Sequence, residues 1–122
     1  MTDLNQKVFW ITGASSGIGK ALAIEAAKNP CSIILSGRRE GALQELADEL
    51  PVDCLVLRFE VTDYDQLADI VDRAWAWRSR VDILINNASA INLTRTDQTP
   101  AKRFDLMFDV NVRGTFLTSQ AA

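Results

Sequence analysis

The residues best placed to do chemistry are Thr12-Gly13-Ala14-Ser15-Ser16-Gly17-Ile18-Gly19, directly after the apolar run Val8-Phe9-Trp10-Ile11. A strand, a glycine-rich turn and a helix in that order make a cradle for a pyrophosphate. Gly13 can take the angles of a tight turn. Gly17 lacks a Cβ, so the chain can approach a phosphate, and Gly19 lets the helix lie close to its strand. Ser15, Ser16, Ile18 and the free amides of the first helical turn can meet an anion at the positive end of the helix dipole.

A second set of charges follows at the expected distance. A dinucleotide fold meets the adenosine ribose after its second strand, about 20 residues beyond the glycine turn. An acid there suits the free 2′-hydroxyl of NAD(H). This chain has Gly37 and then Arg38-Arg39. A guanidinium binds a 2′-phosphate bidentately, whereas a carboxylate repels it. The expected cofactor is therefore NADP(H) rather than NAD(H). The bland alternative for Arg38 is a solvated helix-start arginine, and Arg39 could simply flank the site.

The elements that position these groups alternate along the chain. Strands are expected at Val8–Ile11, Ser32–Ser36, Val52–Phe59 and Val81–Ile85, the last apolar except for Asp82. Helices are expected from Gly17 to about Asn29 and from Arg39 to Leu50, where Leu43, Leu46, Ala47 and Leu50 share a face. A third, after a capping-box-like Thr62–Asp65, carries Leu67, Ile70, Val71 and Ala74 on one side. After a polar loop, Ser89 to Thr99, Thr99 should cap a last helix with Pro100 at its first position. Strand–helix alternation implies parallel units with right-handed crossovers. The fold class is thus α/β with helices on both faces, and the glycine turn of a dinucleotide fold makes it a Rossmann-type doubly wound parallel sheet in the order 3-2-1-4.

Composition narrows the rest. The 122 residues suit one domain or part of one, and 48% are hydrophobic, enough for a packed core. A net charge of −3, with no basic block, argues against nucleic acid. No apolar run approaches the roughly 18 residues that span a membrane, and no leader follows Met1. The default compartment is cytoplasmic. Histidine is absent, which excludes Ser-His-Asp chemistry within these residues. Cys31 and Cys54 form no C-x-x-C pair and are expected as small buried hydrophobes.

Together these features resemble the classical short-chain dehydrogenase/reductase family. Thr12-Gly13-x-x-x-Gly17-Ile18-Gly19 is similar to its cofactor motif, Asn86-Asn87-Ala88 to its N-N-A-G, and Asn111 within Val110-Asn111-Val112-Arg113-Gly114-Thr115 to its catalytic asparagine. The segments from Asn86 to Ile91 and from Lys102 to Met107 look most like the hydroxysteroid-dehydrogenase-like and citronellal-dehydrogenase-like branches. The resemblance implies hydride transfer between a nicotinamide and an alcohol or carbonyl substrate, and an oligomeric parent protein.

It also implies residue roles. Glu60-Val61 stands where Asp-Val contacts adenine, although Glu60 could equally be a solvated strand-end acid. Asn87, Ala88 and Ser89 would run under the cofactor ribose, and Asn86 would tie neighbouring strands together. Asn111 would hold a water in a proton relay; its alternative is an amide bonded to backbone. Trp75 and Trp77 would pack the core, with Ser79 where the family has glycine. The family's serine and Tyr-x-x-x-Lys pair would lie past Ala122. Tyr64 has Ala68 four residues on and is expected as a surface residue at a helix start. The chain therefore resembles the N-terminal, cofactor-holding half of one domain, inactive alone. The rival expectation is an NADP(H)-binding module without turnover.

Overall fold

Val8–Ile11 is buried at every position and forms β1, the second-to-last strand of a four-stranded parallel sheet. In the computed structural model, which describes residues 4–90 and 95–122, the strand order is β3-β2-β1-β4. The other strands are β2 (Ser32–Gly37), β3 (Asp53–Arg58) and β4 (Ile83–Ile85). Trp10 pairs with Ile34 on one side and Leu84 on the other, and Ile34 with Leu55. The expected order is the observed one.

Side-chain alternation sorts the core into two layers. Phe9, Ile11, Ile33 and Leu35 pack with Ala23 and Ala26 of α1 (Gly17–Ala26) and with Leu43 and Leu46 of α2 (Glu40–Glu49). Val8, Trp10, Ile34 and Leu57 face the opposite way, onto Ile70, Val71 and Ala74 of α3 (Leu67–Arg78). Strands covered on both faces read as continuous apolar runs, as β1 does. The buried Trp10 indole donates to the Ser36 hydroxyl at 2.9 Å, so each polar group in that layer satisfies the other. Asp82, the acid before β4, accepts from the Val8 backbone N–H at 2.7 Å and pairs with Arg80 at 3.0 Å. It thereby ties β4 to the start of β1.

Both cysteines sit in the α1/α2 layer with free thiols. Cys31 is buried and Cys54 half-buried. Burial raises both thiol pKa values, that of Cys54 to about 11, with the neighbouring Cys31 and Asp53 adding to the rise. Cys31 is the buried packing residue expected, whereas Cys54 is only half-buried.

Several boundaries differ from expectation for local reasons. α1 stops at Ala26, and tight turns from Glu25 and Ala26 carry the chain to Asn29 and Pro30. The Thr62–Asp65 box does not form. The Thr62 hydroxyl instead donates to Glu60, and a 3₁₀ turn, Tyr64–Gln66, leads into α3. Tyr64 does begin this turn, but it is half-buried and its hydroxyl is enclosed. Pro100 is extended (ψ 146°) and precedes the helix; Thr99 donates to the Arg95 carbonyl rather than capping. The expected last helix is three pieces: α4 (Ala101–Phe108), a π-helical turn (Asp109–Gly114) and α5 (Thr115–Ala121). The loop expected over Ser89–Thr99 contains a 3₁₀ turn, Thr96–Gln98, and partly lies outside the described residues. Trp77 of α3 is half-buried against the core with the Arg78 guanidinium 4.4 Å from its ring, whereas Trp75 is exposed.

α3 ends on Ser79 in the left-handed conformation (φ 62°). A Cβ makes that conformation costly, and glycine removes the cost. Ser79→Gly is expected to stabilise the protein by about 1 kcal/mol, read as a higher urea midpoint with an unchanged m-value.

Candidate functional site

The glycine turn leaves β1 at its carboxyl end. Gly13 and Gly17 both have positive φ (63° and 57°), angles that L side chains rarely adopt. A Cβ on Gly17 would meet nothing, so this part of the turn presents bare backbone to an open cavity. Ser16 is the N-cap of α1 in extended backbone (φ −160°), and its hydroxyl makes no capping bond. The first turn of α1 carries no acid. Free amides, an uncommitted hydroxyl and the helix dipole therefore point at the same space, an anion site in its chemistry. Ile18 is largely exposed beside it.

Gly13 and Gly19 are glycines for a different reason. A Cβ on Gly13 would lie 2.9 Å from the Ala88 Cα. One on Gly19 would collide with the Gly13 carbonyl and the Asn87 side chain. The turn is thus packed directly against the segment that follows β4. Asn87 donates its side-chain amide to the Gly13 carbonyl at 3.0 Å. Thr12, almost fully buried, accepts the backbone N–H groups of both Asn87 (3.0 Å) and Ala88 (3.1 Å), while its own hydroxyl donates to the Ile85 carbonyl at 3.4 Å. The role of Thr12 was not read from the sequence. The available signal was a hydroxyl at the end of an otherwise apolar buried strand, which must find partners.

The second rim lies at the ends of β2 and β3. Gly37 is buried, and a Cβ there would make ordinary contacts with Leu43 (3.6 Å) and Ser15 (3.7 Å). A Cβ at this position is sterically admissible, so the backbone here does not demand glycine. Arg38 extends outward and pairs with Glu60 at 3.7 Å. Arg39 donates to the Ser15 hydroxyl at 3.4 Å, joining the two rims. Arg58, which the sequence did not single out, donates to the Arg38 carbonyl at 3.2 Å. Val61 is buried and packs against Gly114, where a Cβ would stand 3.0 Å from the Val61 carbonyl.

Between these rims lies a cavity of about 690 Å³. Its walls include Gly13, Ser15, Ser16, Gly17 and Ile18 from the turn, and Arg38, Arg39, Glu60 and Val61 from the second rim. Asn87, Ala88 and Ser89 line it from the end of β4. Ala90, Leu106 and Val110 join them and were not anticipated. Gly19 stands behind the turn rather than on the wall.

Asn111 sits in the π-helical turn. Its amide clasps Ala90 twice, accepting from the Ala90 N–H and donating to the Ala90 carbonyl, each at 2.7 Å. It therefore holds the same segment that Thr12 holds from the other side. Asn86 does not join strands as expected; it donates to the Ser119 hydroxyl of α5 at 2.8 Å.

A helix N-terminus at the carboxyl ends of a parallel sheet, beside the crevice between β1 and β4 where strand order reverses, defines a Rossmann-type α/β domain. The sequence model of the short chain dehydrogenase family matches residues 7–122, and the chain belongs to that family of NAD(P)-binding oxidoreductases. Hydroxysteroid dehydrogenase-like protein 2 of Bos taurus is 42% identical over 125 residues, covering 92% of this chain and 29% of that protein. The Danio rerio protein of the same name is 41% identical over 124 residues, with 91% and 29% covered. A short-chain type dehydrogenase/reductase from Mycobacterium marinum superposes with a TM-score of 0.92 at 36% identity, over 98% of this chain and 50% of the other. One from Burkholderia phymatum, crystallised with NAD, gives 0.93 at 29% identity, over 99% and 44%. The chain thus spans less than a third of those curated relatives and half or less of those solved chains. No helix among the described residues is long and apolar enough to cross a membrane.

Thr12→Val keeps the shape of the side chain and leaves the Asn87 and Ala88 N–H groups without their acceptor. We expect a loss of about 2–4 kcal/mol in urea unfolding. Thr12→Ser, which keeps the hydroxyl, is expected to recover most of it.

Proposed function

We propose that this chain is the NADP(H)-holding, N-terminal half of a single dinucleotide-binding domain, in an oxidoreductase that acts on an alcohol, aldehyde or ketone. The observation that carries the cofactor choice is the end of β2. Gly37 offers no carboxylate, although a Cβ would fit there, and Arg38 and Arg39 follow on the cavity rim. The Arg39 guanidinium beside the Ser15 hydroxyl, with Arg38 lining the same cavity, suits a dianionic 2′-phosphate.

The bare turn at Gly13–Gly17, with Ser15, Ser16 and the amides near Ile18 and Gly19, would take the pyrophosphate. Glu60 and Val61 would flank the adenine, and Asn87, Ala88 and Ser89 the ribose on the nicotinamide side. Bound NADP(H) would supply or accept the hydride. Asn111 would serve the reacting end of the site by fixing Ala90. Its amide keeps one acceptor lone pair and one N–H beyond the two bonds to Ala90, sufficient for a relay water. These residues bind and orient. The serine and the Tyr-x-x-x-Lys pair that the family resemblance calls for are not in this stretch, so the stretch by itself is expected to bind cofactor without turnover. The natural protein is expected to form a homo-oligomer in the cytoplasm.

Two substitutions test the cofactor choice by titration with NADPH and NADH. Arg38→Gln is expected to weaken NADPH about tenfold or more and to leave NADH nearly unchanged, the scale of one lost charge-assisted contact. Gly37→Asp is expected to reverse the preference towards NADH. Equal affinity of the unmodified protein for both cofactors would overturn the proposal.

A further inference from the structure

We infer that Glu60 sets how selectively the Arg38 site takes a 2′-phosphate. Its carboxylate is a resident anion from which the phosphate must draw the Arg38 guanidinium. The inference rests on the NADP(H) reading above and adds a residue that works against it.

Glu60 lies just past the end of β3, on the wall of the cavity. One carboxylate oxygen accepts from the Thr62 hydroxyl at 3.3 Å, and the other stands 3.7 Å from the Arg38 Nε. The two partners differ in freedom. The Glu60 side chain is 31% exposed and held by Thr62, whereas that of Arg38 is 75% exposed. Arg58 anchors the Arg38 carbonyl, not its side chain. The backbone of Arg38 is therefore fixed while its guanidinium can swing. At 3.7 Å the pair is a Coulombic contact, and exposed pairs of this kind are weak and exchangeable. A phosphate carries up to two charges and three acceptor oxygens, so it is the stronger partner for a planar guanidinium.

Glu60 acts on this exchange in two ways. It occupies Arg38 when no phosphate is present, and its negative charge opposes a phosphate brought beside it. Both effects lower affinity for a 2′-phosphorylated nucleotide relative to one with a free 2′-hydroxyl. The acid that an NAD(H) site places at the end of β2 is missing here, and the carboxylate that Arg38 meets lies just past the end of β3. This makes Glu60 a specificity-determining residue, separate from any contact to adenine.

The test is calorimetric titration of the protein as naturally produced with two probes, adenosine 2′,5′-bisphosphate and 5′-AMP, at low ionic strength. The readout is the ratio of the two affinities, which cancels adenine contacts and general damage to the cradle. Glu60→Gln is expected to raise the ratio about two- to fivefold, the scale of one exposed ion pair. Glu60→Ala, a second variant, is expected to do the same. In an Arg38→Gln background, the gain from Glu60→Gln is expected to shrink. A ratio that stays constant or falls in both Glu60 variants, while Arg38→Gln lowers it, overturns this inference and leaves the NADP(H) reading intact. A ratio unmoved by Arg38→Gln overturns that reading and this inference with it.

Discussion

The site depends on one buried hydroxyl. Thr12 directly follows β1, and its Oγ1 takes the N–H groups of Asn87 and Ala88 while donating to Ile85. Asn87 returns the connection by bonding the Gly13 carbonyl. Two segments more than 70 residues apart in sequence are thereby locked at hydrogen-bond distance. Thr12 itself is almost fully buried, so the loss of its bonds is costly. The glycines follow from the lock. Gly13 and Gly19 must lack side chains because Ala88 and Asn87 already occupy that space.

Around this lock the sheet supplies rigidity and direction. All four strands run parallel, so their carboxyl ends gather at one edge, and the turns that leave them form both rims of the cavity. The β1/β4 crevice is where the strand order reverses, and connections diverge there to leave room for a ligand. The π-helical turn completes the wall. It offsets the register of the last helix between α4 and α5 and brings Asn111 onto Ala90, as π turns at functional positions commonly do. Gly114, in the same turn, allows the helix to close on Val61. The Ala88–Ala90 segment is therefore held from β1 on one side and from the last helix on the other.

Charge on the second rim is arranged more loosely. Arg39 bridges to Ser15, Arg38 leans on Glu60, and Arg58 holds the backbone between them. All three guanidinium groups lie on solvent-facing residues, where screening weakens each contact. A rim built this way can be rearranged by a ligand at small cost. The Thr12 lock, buried and fully paired, cannot. The two parts of the cavity thus differ in stiffness, with the rigid part under the turn and the adaptable part at the second rim.

Much of this was legible in the sequence because it is local. The apolar runs, the 3.6-residue periodicity of α2 and α3, and the glycine spacing reflect steric and solvation rules that act within a few residues. They determined the strand–helix alternation, and the 3-2-1-4 order followed from the dinucleotide-binding fold that the glycine turn implies. The distance beyond the glycine turn also marked Arg38, whereas the family resemblance marked Asn87 and Asn111. The tertiary structure decided what depends on distant partners. Thr62 turned to Glu60 instead of capping a helix, and Asn86 reached α5 rather than a strand. The last helix broke into a π turn, and Tyr64 was drawn inward. The roles of Thr12 and Arg58 likewise arose only when β4 and β2 came alongside. A sequence records which groups need a partner, and folding decides which one each group meets, because hydrogen bonds and ion pairs form across space without regard to separation along the chain.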